Sequence, residues 1–112
     1  AAVGTKAQWE AYRDTRIAAL RASLGTFPEA PKGVRVQVTR ELAGDGYRIH
    51  NVLYESRAGV WVSANLYLPA KPVEKMPGVL ISTAHHTAKT NGELQDMAMT
   101  WARAGCVVIV PD

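Results

Sequence analysis

Two short segments with consecutive apolar residues, 78–82 and 106–110, constrain the fold of this chain more than any other feature. Segments without polar alternation are typical of parallel strands that are covered on both faces. Between them, Thr90 and Glu93 have the spacing of a helix capping box, and apolar residues then recur at helical intervals as far as Gly105. The order strand, loop, helix, strand predicts a βαβ unit with a right-handed crossover.

An antiparallel hairpin is predicted upstream of this unit, with strands over residues 47–56 and 60–68. Apolar residues alternate along the second strand, and Gly59 lies where a three-residue hairpin loop requires a positive φ. A further alternating run at 34–39 predicts a half-exposed strand, and turn residues follow at 43–46. The predicted fold class is therefore α/β, with a leading helix, an antiparallel hairpin and then a βαβ unit of a mostly parallel sheet.

Residues 1–33 are predicted to form a separate segment made of a helix and a linker. Gly25 is expected to end the helix, and two prolines follow within residues 27–33. Residues 34–112 are predicted to be the N-terminal part of an α/β domain, which is incomplete because it supplies one helix where covered parallel strands need helices on both faces. A helical stripe of apolar residues in the first segment predicts a packing face, which consists of Trp9, Tyr12, Ile17, Leu20 and Leu24.

Composition and charge exclude several classes of protein. The 112 residues are 47% hydrophobic, as in globular chains, and no apolar run approaches the ~20 residues of a membrane-spanning helix. The net charge of +3 comes from scattered basic residues, so neither a nucleic acid nor a membrane is expected as a partner. The single cysteine, Cys106, excludes an internal disulfide and a cysteine-ligated zinc site. The small residues at the start favour a processed export signal, and hence a secreted or periplasmic location.

His85 and His86 are the main candidates for chemistry, because they follow the first parallel strand at the carboxyl edge of the predicted sheet. Three interpretations remain open. In the first, the loop is an oxyanion hole, where one histidine packs and a following backbone N–H donates to the developing anion. In the second, both histidines belong to the site of a metal-dependent hydrolase, together with Glu93, Asp96 or His50. In the third, they are ordinary polar loop residues.

No nucleophile for acyl transfer is visible in the sequence. None of the four serines lies in a Gly-x-Ser-x-Gly elbow, and there is no glycine-rich phosphate loop. We therefore expect this chain alone to be inactive in Ser-His-Asp catalysis.

Two aromatic residues, Trp61 and Tyr67, fall on one face of the predicted hairpin. They favour either of two interpretations. In one, the rings stack on sugars, and the chain is a non-catalytic carbohydrate-binding or interaction module. In the other, which is the more common fate of such rings, they pack beneath the N-terminal helix.

Residues 47–112 resemble the N-terminal half of α/β-hydrolases, and most closely the branch of acetyl xylan esterases, cephalosporin-deacetylase-like enzymes and dienelactone-hydrolase-like proteins. Four blocks carry the resemblance in order and spacing: IHNVLYESRAGVWVSANLYLPA, MPGVLIS, AHHTAK and WARAGCVVIVPD. The resemblance implies a serine-dependent carboxylic ester hydrolase that needs no metal or organic cofactor. Its implied partners are a small-molecule or carbohydrate ester and the remainder of the hydrolase, in the same or a companion polypeptide, where the nucleophile lies.

The same resemblance assigns roles to individual residues. His85 matches the histidine of the family's His-Gly pair, and Thr87 falls where a backbone N–H donates to the oxyanion. His86 replaces the usual glycine of that pair, whose backbone is freer than that of histidine. His86 and Thr87 are thus the expected oxyanion-hole residues, with His85 supporting the loop. Further positions that match structural residues of the family are Lys89, Gln95 and Asp112, the last at the end of a strand.

Overall fold

The computed structural model describes residues 4–82 and 88–112 of the chain. The chain divides into two compact units, Ala1–Ala30 and Pro31–Asp112. Within the described residues, no helix is both long enough and apolar enough to cross a membrane.

The first unit contains one helix, α1 (Lys6–Leu24). It begins with a capping box, in which the Thr5 hydroxyl accepts from the Gln8 N–H at 3.2 Å and the Gln8 side chain accepts from the Thr5 N–H. It ends before Gly25, whose φ of 72° only glycine adopts at no cost. The predicted helix is present, and none of its residues is buried. That its apolar stripe is a packing face stays a prediction.

The described residues of the second unit form a five-stranded mixed sheet with one α-helix, so the α/β class is confirmed at this coarse level. The strands occur in the spatial order β1-β2-β3-β5-β4. Among the described residues three neighbouring pairs are antiparallel and only β4–β5 is parallel, so this part of the sheet is not mostly parallel. The elements are β1 (Val36–Gly44), β2 (Tyr47–Arg57), β3 (Val60–Pro69), β4 (Gly78–Leu80), a 3₁₀ turn (Ala88–Thr90), α2 (Gly92–Arg103) and β5 (Val107–Pro111).

Short turns explain the antiparallel part of the sheet. Gly46 has a φ of 79° between β1 and β2, and Gly59 has a φ of 78° between β2 and β3. Both turns join strands that are adjacent in the sheet, so the predicted hairpin is confirmed and is extended by β1 on its outer side. After α2, the chain enters β5, which lies between β3 and β4 and runs parallel to β4. Two parallel strands need a crossover connection of this kind.

One face of the sheet packs against α2, and we call it the covered face. Tyr67, Val108 and Val110 contribute buried side chains to it, while α2 contributes Ala98 and Ala102. Two alanines at the contact allow the helix to approach the sheet closely. The predicted strand β5 is present, but among its residues only Val108 and Val110 are buried, while Val107 and Ile109 on the other face are half-buried, so burial on both faces is not complete. Cys106 is buried in the same core as expected.

The strand β4 is covered on one face only, within the part of the chain that the structure describes. Val79 packs against the core under α2, whereas Leu80 on the opposite face is 66% exposed. The predicted burial of this strand on both faces is therefore wrong for the described residues, because α2 reaches only one of its faces.

The start of α2 differs from the predicted capping box. Thr90 belongs to the 3₁₀ turn, so its backbone already turns before the helix begins. Asn91 is the N-cap instead, and its side-chain oxygen accepts from the N–H of Glu93 at 3.0 Å. The sequence pattern located the helix correctly and misplaced its cap by one residue.

Candidate functional site

The predicted oxyanion-hole residues His85, His86 and Thr87 lie outside the residues that the structure describes. Their roles therefore stay predictions. The chain on both sides of residues 83–87 is described, and its geometry defines where that segment leaves the sheet and where it rejoins it.

The upstream end is held by pairing with β5. Ile81 is buried, and its N–H donates to the carbonyl of Ile109 at 3.0 Å, which continues the parallel ladder one residue beyond β4. Residue 81 thus lies at the carboxyl edge of two parallel strands. In open α/β sheets this edge is where ligands bind.

The downstream end is held by a cluster that we call the Lys89 clamp, which consists of Lys89, Ser63 and Asp112. The Lys89 Nζ lies 2.6 Å from Asp112 Oδ2 and donates to Ser63 Oγ at 2.8 Å. The Ser63 hydroxyl donates to the same Asp112 oxygen at 2.6 Å. The hydrogen bond from Lys89, followed by that from Ser63, lowers the pKa of Asp112, so this carboxylate stays ionised at neutral pH.

The main chain of Lys89 is held as well as its side chain. Its carbonyl accepts from Gln95 Nε2 at 2.6 Å and from Asn65 Nδ2 at 3.3 Å. Asn65 is only 7% exposed, and its own oxygen accepts from Asn51 Nδ2 at 2.6 Å. The side-chain amides of Asn65 on β3 and Asn51 on β2 therefore connect the Lys89 carbonyl to the sheet by consecutive hydrogen bonds.

These residues lie beside a cavity of about 470 Å³ on the covered face. Hydroxyls, amides and the Lys89 ammonium supply most of its polar groups. Its lining comprises Thr39, Asn51, Val52, Leu53, Ser63, Ala64, Asn65, Lys89 and Thr90.

Ser63 is not arranged as a nucleophile, although a lysine lies within hydrogen-bond distance of it. Its hydroxyl proton is directed at Asp112, whose lowered pKa makes it a weak base. Lys89 is the donor in its contacts with both other residues, so it does not accept that proton. The cluster therefore suits holding the chain in place rather than attacking a substrate.

Of the residues considered for a metal site, the structure describes His50, Glu93 and Asp96, and it does not bring His50 together with the other two. His50 lies 3.8 Å from Glu41 and alternates with Ile49, so it points away from the covered face. Glu93 and Asp96 belong to α2, on the other side of the sheet. Within residues 4–82 and 88–112, no group of three or more histidine, cysteine, aspartate or glutamate residues could hold a metal ion. The part of this hypothesis that involves His85 and His86 falls outside the described residues.

Trp61 and Tyr67 do not form a platform for sugars. Tyr67 is 1% exposed, its ring lies 6.4 Å from that of Tyr47, and burial raises the pKa of its phenol. Tyr67 shares its buried core with Ala98 and Ala102, so α2 covers this ring. The expected packing beneath the N-terminal helix stays a prediction. Trp61 is 39% exposed and has the Arg35 guanidinium 5.4 Å above its ring.

Several residues of the site escaped sequence reasoning, namely Ser63, Asn65 and Asn51. The strand period already placed Ser63 and Asn65 on the same face as Tyr67. Nothing in the sequence indicated that this face meets the carboxyl edge of β5, since that depends on the register in which Val110 pairs with Asn65.

Comparison of the chain with protein-family models, with curated proteins and with solved structures found no match.

Proposed function

We propose that this chain is the N-terminal part of a serine-dependent carboxylic ester hydrolase of the α/β-hydrolase type, in which it supplies the oxyanion-hole loop. The observation that carries the proposal is the fixing of both ends of residues 83–87 at the carboxyl edge of β4 and β5. Ile81 is held by the β5 ladder, and Lys89 is held by Asp112, Ser63, Asn65 and Gln95.

The order of elements supports the proposal. An antiparallel hairpin precedes a parallel strand, which is followed by the histidine segment, a helix and a strand that runs to Asp112. This is the order that the resemblance to α/β-hydrolases implies. The half-covered strand β4 adds to it, because the exposed Leu80 would be covered by further elements of such a domain.

The division of labour in the reaction follows from the sequence. No serine of this chain lies in a nucleophile elbow, so the attacking serine comes from outside these 112 residues. The resemblance to α/β-hydrolases implies the same for its histidine and its acid. When that serine attacks the ester carbonyl, negative charge develops on the carbonyl oxygen. The backbone N–H of Thr87 donates to this oxygen, and a single donor of this kind lowers the barrier by roughly 3 kcal/mol. The substrate is a small-molecule or carbohydrate ester.

Replacement of Thr87 in the natural protein that contains these residues tests the proposal. Thr87→Pro removes the backbone N–H, whereas the matched control Thr87→Ala keeps it. With 4-nitrophenyl acetate as substrate, we expect Thr87→Pro to lower kcat by about 10²- to 10³-fold and Thr87→Ala to stay near wild type. Equal turnover in the two variants, or no ester hydrolysis by the wild-type protein, would contradict the proposed function.

A further inference from the structure

We infer that the cavity on the covered face is a binding site for a small neutral polyol of about the size of a monosaccharide. Its volume of about 470 Å³ lies within the range of small-molecule sites, roughly 300–1,000 Å³. The inference goes beyond the proposed function, because binding of such a ligand needs neither a nucleophile nor the oxyanion donors. The residues that carry it all belong to the described part of the chain.

The floor of the cavity combines polar and apolar side chains from two neighbouring strands. Asn51 on β2 is in register with Asn65 on β3. Two residues further along, Leu53 is in register with Ser63. Residues two apart on a strand share a face, so these four side chains lie side by side. A sugar ring matches this surface, because its hydroxyls form hydrogen bonds while its C–H groups pack against an apolar side chain such as Leu53.

A β-bulge brings a further hydroxyl to the wall of the cavity. The register between β1 and β2 shifts between Val38 and Arg40, which leaves Thr39 as an extra residue. The Thr39 hydroxyl donates to the carbonyl of Asn51 at 3.0 Å, and Thr39 lines the cavity. Bulges redirect a side chain out of the regular alternation of a strand, and they are frequent next to active sites.

The charges around the cavity are balanced, and this balance favours a neutral ligand. Lys89 is the one charged residue of the described lining, and its ammonium lies 2.6 Å from the carboxylate of Asp112. An anion would gain the attraction of Lys89 and at the same time meet the repulsion of Asp112. An apolar ligand is disfavoured as well, since it would displace water from the Thr39 hydroxyl and the Asn51 amide without replacing its hydrogen bonds.

Three groups of the lining keep hydrogen-bonding capacity beyond their contacts with described residues. Lys89 uses two of its three ammonium protons within the clamp. Asn51 gives one amide proton to Asn65, and its own amide oxygen is an acceptor. The Thr39 hydroxyl donates its proton and keeps its lone pairs. Donors and acceptors therefore lie together, which suits the hydroxyl groups of a polyol, because each of them both donates and accepts.

The test measures ligand binding to the natural protein by NMR, with the side-chain amide signals of Asn51 and Asn65 as reporters. The probes are D-glucose and glycerol as polyols, acetate as an anion and cyclohexanol as a mainly apolar alcohol. We expect D-glucose to shift both amide signals in a saturable manner with a Kd of roughly 1–10 mM, as for a small ligand held by few contacts. Acetate and cyclohexanol should bind at least about tenfold more weakly.

Three variants connect binding to the cavity. Thr39→Val keeps the branched shape, removes the hydroxyl and should raise the Kd for D-glucose about three- to tenfold. Thr39→Trp places a large ring at the wall of the cavity and should abolish binding. The matched control Thr100→Val removes a hydroxyl that likewise donates to a backbone carbonyl, at 2.8 Å, and should leave the Kd unchanged.

Several results would overturn the inference: no saturable binding of either polyol, binding of acetate or cyclohexanol as tight as that of D-glucose, or a wild-type Kd in either Thr39 variant. An equal rise of the Kd in Thr100→Val would overturn it too. Failure of the proposed function is recognised separately, since a wild-type protein without esterase activity would still bind the polyol. Conversely, an active esterase whose asparagine signals do not respond would leave the proposed function in place and contradict the cavity site.

Discussion

Two ion pairs lie close together along β3, and they hold very different parts of the chain. Arg35 and Glu55 form a two-pronged pair beside Trp61, while Lys89 and Asp112 meet at Ser63, two residues further along the strand. Both carboxylates have lowered pKa values. The two pairs differ in the segments that they join. Backbone hydrogen bonds already join the segments of one pair, and they do not join those of the other.

The Arg35–Glu55 pair joins segments that the sheet already joins. The N–H of Glu55 donates to the carbonyl of Arg35 at 2.9 Å, and Val36 is in register with Tyr54 next to it. Glu55 also accepts from the N–H of Gly59 in the hairpin turn at 2.7 Å. The pair therefore reinforces a register that the hairpins set by themselves.

The Lys89–Asp112 pair joins a 3₁₀ turn to the end of a strand with which that turn shares no ladder. At this junction the side chains of Lys89, Asp112 and Ser63 connect the two segments, whereas backbone hydrogen bonds connect the strands of the hairpin. We therefore expect removal of the Arg35–Glu55 pair to reduce stability, and removal of the Lys89–Asp112 pair to release the 3₁₀ turn from the end of β5.

Among the changes that test this difference between the two pairs, the largest expected effect comes from removing each carboxylate in turn. Asp112→Asn should lower kcat of the natural protein about tenfold, because the neutral amide no longer orients Lys89. Glu55→Gln, the matched change in the other pair, should lower the melting temperature and leave kcat unchanged. Steady-state kinetics and thermal unfolding of both variants measure the two effects. Equal losses of kcat would remove the distinction between the pairs.

The next largest expected effect is a change in how the melting temperature depends on pH. Hydrogen bonds from Arg35 and Gly59 lower the pKa of Glu55 from 4.5 to about 2. Since the folded pKa lies below the unfolded one, the stabilisation is complete above pH 4.5 and is lost as the pH falls towards 2. The melting temperature of wild type should therefore fall more steeply than that of Glu55→Gln over this range. Parallel curves of melting temperature against pH would show that Glu55 is not selectively stabilised in its ionised form.

The smallest effect concerns the cap of α2, which lies next to the clamp. Asn91→Ala should cost about 1 kcal/mol of unfolding free energy, and Asn91→Asp should cost less because it keeps the acceptor oxygen. The kcat of both variants should stay at the wild-type value, since Lys89 keeps its four contacts. Denaturant unfolding measures the free energy of unfolding, and steady-state kinetics measure kcat. A loss of kcat in Asn91→Ala would mean that the helix start, rather than Lys89, positions the junction.

Residue patterns predicted the elements of this fold better than the contacts between them. Alternation along residues 60–68 and the consecutive apolar residues of 106–110 identified β3 and β5 as strands. The resemblance also pointed to Lys89 and Asp112 as structural positions. Their meeting with Ser63 was not predictable, since it depends on a register between strands that are 49 residues apart at that contact.

The misplaced cap and the exposed Leu80 have the same physical origin. Thr90 and Asn91 are both good capping residues, and only the 3₁₀ turn before the helix selects the second. Leu80 has the residue type of a buried strand, but its burial depends on what lies over the sheet rather than on the strand itself. Local sequence limits each residue to a few structural roles, such as capping a helix or packing in a strand. Tertiary contacts select one of these roles.

The most direct test of the central claim is a crystal structure of the natural protein with a phosphonate bound to its nucleophilic serine, because the phosphonyl oxygen imitates the oxyanion of ester hydrolysis. We expect this oxygen at roughly 2.7–3.1 Å from the backbone nitrogen of Thr87, with Lys89 still bonded to Asp112. A phosphonyl oxygen bound by other donors, with residues 83–87 remote from it, would contradict the account.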